Sequence, residues 1–155
     1  MGVPGSANFF LAGSVGGYQI SRSLRFNSAD GIYLTRPFAT PTNSSKWTMS
    51  MWAKRSSISS ALRVLFGKTI SVGANFYLGF DQTTDTLTWT FSNAYSMTTA
   101  QVFRDVSAWY HIIAVWDSAN ATATQRARVY INGSEITTWS TDNRANITTS
   151  MALGC

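Results

Sequence analysis

The chain is predicted to be an all-β antiparallel sandwich, and three observations predict it. Apolar residues recur with period two over most of the sequence. Aromatic residues reach 14% of 155 residues. Clusters of Gly, Asn, Asp and Ser separate the apolar sets at short intervals. Alternation sends one side of each strand inward, and aromatic and β-branched side chains suit a pleated, half-buried surface. Many short strands at such spacing favour a sandwich or jelly roll. No segment keeps a clean helical period; a single helical turn is allowed near Asp105 to Ala108.

Residues 1–17 carry Gly2, Gly5, Gly13, Gly16 and Gly17 without a period. They read as a flexible arm with an apolar plug, Phe9, Phe10 and Leu11, able to dock on a neighbouring subunit. A frayed terminus is the other reading. Residues 18–155 form the sandwich domain. Leu24 and Phe26 open the alternation, and Ile32 and Leu34 follow a turn at Ala29-Asp30-Gly31. Trp47, Met49 and Met51 then alternate with Thr48, Ser50 and Trp52. Phe76, Leu78 and Phe80 form the next set. Leu87, Trp89 and Phe91 alternate with threonines. Trp109 to Trp116 is apolar in both phases, as a central strand covered on both faces would be. Ala127, Val129 and Ile131 lead into Asn132-Gly133, where both residues accept the positive φ of a type I′ hairpin turn.

Charged residues make up only 12%, about half of the roughly 25% usual in soluble domains. The net charge is +5, but the basic residues are scattered and form no run longer than Lys54-Arg55. A nucleic-acid binder concentrates its charge on one face or helix, so nucleic acid is not an expected partner. The single cysteine, Cys155, permits no intrachain disulfide. The apolar stretch Ala7 to Ala12 is too short for a membrane span, and membrane insertion is not expected.

Four segments in order carry a family resemblance: Ser23-Leu24-Arg25-Phe26-Asn27-Ser28-Ala29-Asp30 with Tyr33-Leu34; Trp47 to Arg55; Ser107-Ala108-Trp109-Tyr110-His111-Ile112 running to Asp117; and Arg128-Val129-Tyr130-Ile131-Asn132-Gly133. Together they resemble the laminin-G-like, concanavalin A-like jelly roll, most of all LamG-type domains of tailed bacteriophages and marine metagenomes. Such domains usually continue for several strands past the hairpin. Here Met151 to Cys155 looks like the start of one. The expectation is therefore a sandwich lacking its closing C-terminal strand, completed by further residues or by a neighbour. An edge left open in this way would make residues 1–155 oligomeric or aggregation-prone.

Glycosidases need two carboxylates across one sugar. The only glutamate, Glu135, stands beside the hairpin turn with no acid two to five residues away, so the chain is expected not to be an enzyme. His111, the only histidine, reads as a core residue in the Trp109 to Trp116 strand. No zinc site can be built from one histidine and a terminal cysteine. No cofactor is expected. Calcium is the one metal kept open, because some LamG relatives bind it at a sandwich rim through Asp or Asn and backbone carbonyls; the candidates are Asp81, Asp85 and Asp117. Turn capping is their other reading. Among the tryptophans, Trp47, Trp89 and Trp109 are expected in the core. Trp52, Trp116 and Trp139 fall on opposite phases or near turns, and are the candidates for an exposed carbohydrate-binding platform.

The resemblance implies a non-catalytic virion structural protein of a tailed phage, made in the host cytoplasm. It would be a tail fibre or appendage component that binds host-surface glycan or docks neighbouring subunits. Its expected partners are other virion proteins and further copies of itself. A capsid decoration protein without a ligand and a cellular lectin or adhesion domain remain as alternatives.

Overall fold

The computed structural model describes residues 42–55, 57–58, 62–71, 74–92 and 95–148, all within the compact unit Phe38–Cys155. The arm with Phe9, Phe10 and Leu11, the alternation from Leu24 to Leu34, and the segment from Met151 onward lie outside these residues.

Nine strands form two antiparallel sheets among the described residues. They are β1 (Lys46–Lys54), β2 (Arg63–Ser71), β3 (Ala74–Phe80), β4 (Thr86–Ser92), β5 (Tyr95–Val102), β6 (Trp109–Asp117), β7 (Ala127–Ile131), β8 (Ser134–Glu135) and β9 (Trp139–Asp142). The first sheet runs β1-β6-β7-β8 and the second β2-β3-β4-β5-β9. The chain therefore changes sheets after β1, after β5 and after β8. That is the sandwich the alternation predicts, and its period-two residues meet between the sheets. Phe76, Leu78, Phe80, Leu87, Trp89 and Phe91 come from one side; Ala53, Tyr110, Ile112, Ala114, Trp116, Ala127, Val129 and Ile131 come from the other. Trp47, Phe76, Trp89 and Trp116 form its aromatic centre, with ring centroids 5.5–6.2 Å apart in tilted, edge-on and stacked pairs. Such arrangements suit the charge distribution of aromatic rings.

The hairpin forms as predicted. Asn132 has φ 51° and Gly133 φ 86°, and β7 pairs with β8 through Ile131 and Ser134. Two expectations change. Asp105 to Ala108 is not helical; the Asp105 carboxylate accepts hydrogen bonds from the Ser107 N–H (2.8 Å) and Oγ–H (2.6 Å), which hold a bend. The polar stretch after the hairpin contributes β9, which pairs with β5 at the edge of the second sheet. Buried Arg144 fastens this corner: it donates to both Asp142 oxygens and to the Thr124 carbonyl, and lies 5.4 Å over the Trp139 ring.

Candidate functional site

The register of β1 against β6 determines what the first sheet turns away from the core. Trp52 stands opposite His111, Ser50 opposite Ile113, Thr48 opposite Val115 and Lys54 opposite Trp109. On the next strand, Ile113 faces Tyr130 and Val115 faces Arg128, and Tyr130 faces Glu135. This outer face carries two large exposed indoles, Trp52 at 65% and Trp109 at 58%. They are diagonal neighbours across the strand pair, a relation that places residues about 7–8 Å apart.

The face is ordered by its own contacts. The Trp52 and His111 rings stack with centroids 4.9 Å apart and planes 18° from parallel. His111 Nε2 and Ser50 Oγ share a hydrogen bond of 2.8 Å. The His111 backbone N–H donates to Asn132 Oδ1, and the Asn132 N–H donates back to the His111 carbonyl, both at 2.8 Å. The hairpin turn thereby holds the strand position that supports Trp52. Beside this group, Arg128 donates to the Tyr130 hydroxyl at 3.0 Å. Burial first, and then hydrogen bonding to Glu135, raises the Tyr130 pKa. The result is an exposed aromatic face bordered by hydroxyl, amide, cationic and carboxylate groups. It can stack a ring with an apolar face and bond the hydroxyls around it.

The structure redistributes the predicted tryptophans. Trp52 is exposed as expected. Trp116 is 1% exposed and packs on Trp47, Phe76, Trp89 and Phe91; it belongs to the core and not to a platform. Trp109, expected in the core, is on the outer face. Trp139 is half-buried on β9, on the other sheet, with Arg144 over its ring. His111 is half-buried rather than a core residue, for the same reason as Trp109. Strand β6 is central in its sheet, but its second face is only partly covered. Both phases of β6 are apolar, so hydropathy alone left its direction open.

The three candidate metal ligands do not meet. Asp81 and Asp85 flank the turn between β3 and β4, at the end of the sandwich where β1 finishes. Asp117 closes β6 beside the start of β1, a strand length away. Each carboxylate has its own partners. Asp81 Oδ1 accepts from the N–H and hydroxyl groups of Thr83 and Thr84 at 2.8–2.9 Å. Burial pushes the Asp81 pKa up, but these four bonds outweigh it and bring it to about 2. Asp85 accepts from Arg104 Nε at 3.0 Å. Arg55 Nη2 also lies 3.0 Å from Asp85 Oδ1, as an ion pair whose Oδ1 makes no well-formed hydrogen bond. The Arg104 bond, opposed by burial and aided by Arg55, holds the Asp85 pKa below the usual carboxylate range. Two arginines cover this carboxylate locally; it does not lie deep in the core. Asp117 pairs with Lys46 at 3.2 Å. Among the described residues no three His, Cys, Asp or Glu side chains cluster as a metal site, and no helix is long and apolar enough to cross a membrane.

A family model described as the concanavalin A-like lectin/glucanases superfamily, of the laminin-G-3 type, matches residues 26–154. No curated protein and no solved structure matches the chain.

Proposed function

Because the chain belongs to the concanavalin A-like lectin/glucanases superfamily, we propose that it is a non-catalytic recognition domain of lectin or adhesion type that engages saccharide on the outer face of β1 and β6. The observation that carries this reading is the pair of exposed indoles, Trp52 and Trp109, brought to one face as diagonal neighbours by cross-strand register, with Trp52 stacked on His111. An exposed aromatic surface rimmed by polar groups marks an interaction site more often than a solvated face. The lectin side of the superfamily is favoured over the glucanase side by the carboxylates. Among the described residues, Glu135 and Asp117 are the acidic residues of this face. Strand spacing puts them roughly 16 Å apart, outside the span of about 5–9.5 Å that glycoside hydrolysis requires. Glu135 is also engaged by Tyr130.

The domain's setting, as we read it, is a tail fibre or related appendage of a tailed phage. There the platform would meet host-surface glycan, and other virion proteins and further copies of the chain would be its neighbours. This setting rests on the resemblance of Trp47 to Arg55, Ser107 to Asp117 and Arg128 to Gly133 to phage LamG-type domains. Binding of the intact chain to an array of bacterial surface polysaccharides tests the reading. Trp52→Ala and Trp109→Ala should each lose at least tenfold in affinity while keeping the fold; binding unaffected by both changes would overturn it. Antibody labelling of purified particles tests the setting, and labelled fibres are the expected result.

A further inference from the structure

The turn that holds His111 also carries a reactive pair of residues. Asn132-Gly133 is the one Asn-Gly dipeptide of the chain. A main-chain nitrogen can attack the carboxamide carbon of the asparagine before it, and a glycine, having no side chain, hinders that approach least. Both residues are exposed, and nothing lies within 4 Å of where a Gly133 Cβ would stand. The chemistry needs no reagent but water. The Gly133 nitrogen bonds to Asn132 Cγ, and the bond from Cγ to the side-chain nitrogen breaks. That nitrogen takes the Gly133 proton and leaves as ammonia. The five-membered imide left behind takes up water at either carbonyl. Opening at one side gives aspartate; opening at the other gives isoaspartate, in which the main chain runs through Cγ. The sum is asparagine plus water to acid plus ammonia.

The folded turn withholds this reaction. Asn132 has φ 51°, in the left-handed region where ψ is about +30 to +60°. There the nitrogen of the next residue lies nearly opposite Cβ across the Cα–C bond, turned away from Cγ. Asn132 Oδ1 is also held 2.8 Å from the His111 N–H. Ring closure therefore requires the turn to open. Little keeps it shut. Strand β8 is only Ser134 and Glu135, both exposed, paired with Ile131 and Tyr130 of β7. Beyond it the Ile136 N–H donates to the Val129 carbonyl at 2.9 Å, and the Ile136 side chain packs on the core. Short exposed elements of this kind open locally at far less cost than global unfolding.

We infer that Asn132 is a deamidation site controlled by fraying of β8, and that its isoaspartyl product releases His111 and with it the support of Trp52. An aspartate at 132 can still accept from the His111 N–H. Isoaspartate adds a methylene to a main chain that turns in two residues, so the β7–β8 register and the His111 bond cannot both survive. The inference stands on the turn and does not depend on what the Trp52 face binds.

The test incubates the intact chain at mildly alkaline pH, in buffer and in denaturing urea, and follows conversion at Asn132 by peptide mass and by separation of the isoaspartyl peptide. The folded chain should convert at least tenfold more slowly than the unfolded one; equal rates would overturn the protection by the turn. Ile136→Ala removes the side chain that anchors the far end of the hairpin, and should speed conversion in buffer while leaving the rate in urea unchanged. An unaltered rate in buffer would overturn the role of β8 fraying. The isoaspartyl form, purified from the folded sample, should show displaced NMR resonances for the His111 ring and the Trp52 indole. Asn132→Asp should leave both near their parent positions. Parent-like His111 and Trp52 resonances in the isoaspartyl form would overturn the link to the aromatic face.

Discussion

The two faces of β6 are built from nearly the same amino acids and do opposite things. Inward, Tyr110, Ile112, Ala114 and Trp116 are 9%, 0%, 2% and 1% exposed. Outward, Trp109, His111, Ile113 and Val115 range from half-buried to exposed. One tryptophan lies on each face, and reading the sequence assigned both to the wrong one. The difference lies in what the neighbouring strands present. Inward, the opposed sheet supplies Phe76, Trp89 and Phe91. Outward, β1 and β7 supply Thr48, Ser50, Arg128 and Tyr130. A side chain's apolar character fixes the benefit of covering it; the partner across the gap decides whether cover exists.

The largest effect expected from this comparison follows removal of the inward indole. Trp116→Ala should cost about 3–5 kcal/mol, because it deletes the ring at the centre of the aromatic cluster and leaves a cavity. Urea unfolding would measure it. A cost below 1 kcal/mol would mean the ring is not packed as described.

Close approach of backbones in the second sheet should matter next. A Cβ on Gly79 would meet the Arg63 carbonyl oxygen at 2.6 Å, and this backbone atom cannot move without shifting β2. Gly79→Ala should therefore cost about 1–3 kcal/mol by overpacking, read from the same unfolding curves.

Acid should reveal a smaller term. The Asp81 carboxyl is held near 2 when folded, below its ordinary value of 3.8. A depressed folded pKa gives stability that is present above the unfolded value and is lost as pH falls through the folded one. The Asp81 contribution should thus be complete above about pH 4 and disappear between there and about pH 2. Its size is on the order of 1 kcal/mol once solvent screening of this part-exposed group is allowed for. Asp81→Asn should flatten that part of the stability–pH profile; an unchanged slope would contradict the assignment.

The outward indole should matter least to folding. Trp109→Ala is expected within about 0.5 kcal/mol of the parent, a difference of several kcal/mol between two tryptophans of one strand.

How far the sequence could be read follows from the same physics. The Asn132-Gly133 hairpin was legible because only its residue types accept the required φ. Strands β4 and β7 were legible because threonine or arginine fills one phase and apolar residues the other. Strand β5 was not: its inward positions include Thr99, fully buried and satisfied by its own bond to the Gln101 carbonyl, so no alternation is visible in Tyr95 to Val102. Strand β2 hid its edges behind Val64-Leu65-Phe66, apolar in both phases. Strand β9 hid in a polar stretch, tied down by Arg144 and not by apolar residues. Of the platform, Trp52 was visible from its phase in β1. Trp109 was not, and its register opposite Lys54 is what brings it there.

The account's central claim is that the outer face of β1 and β6 is the recognition surface. Its most direct test is an NMR titration of the intact chain with a bound saccharide, following the six indole N–H resonances. Shifts are expected at Trp52 and Trp109, with Trp47, Trp89, Trp116 and Trp139 unmoved. Shifts confined to Trp139, or saturable binding that moves neither Trp52 nor Trp109, would contradict it.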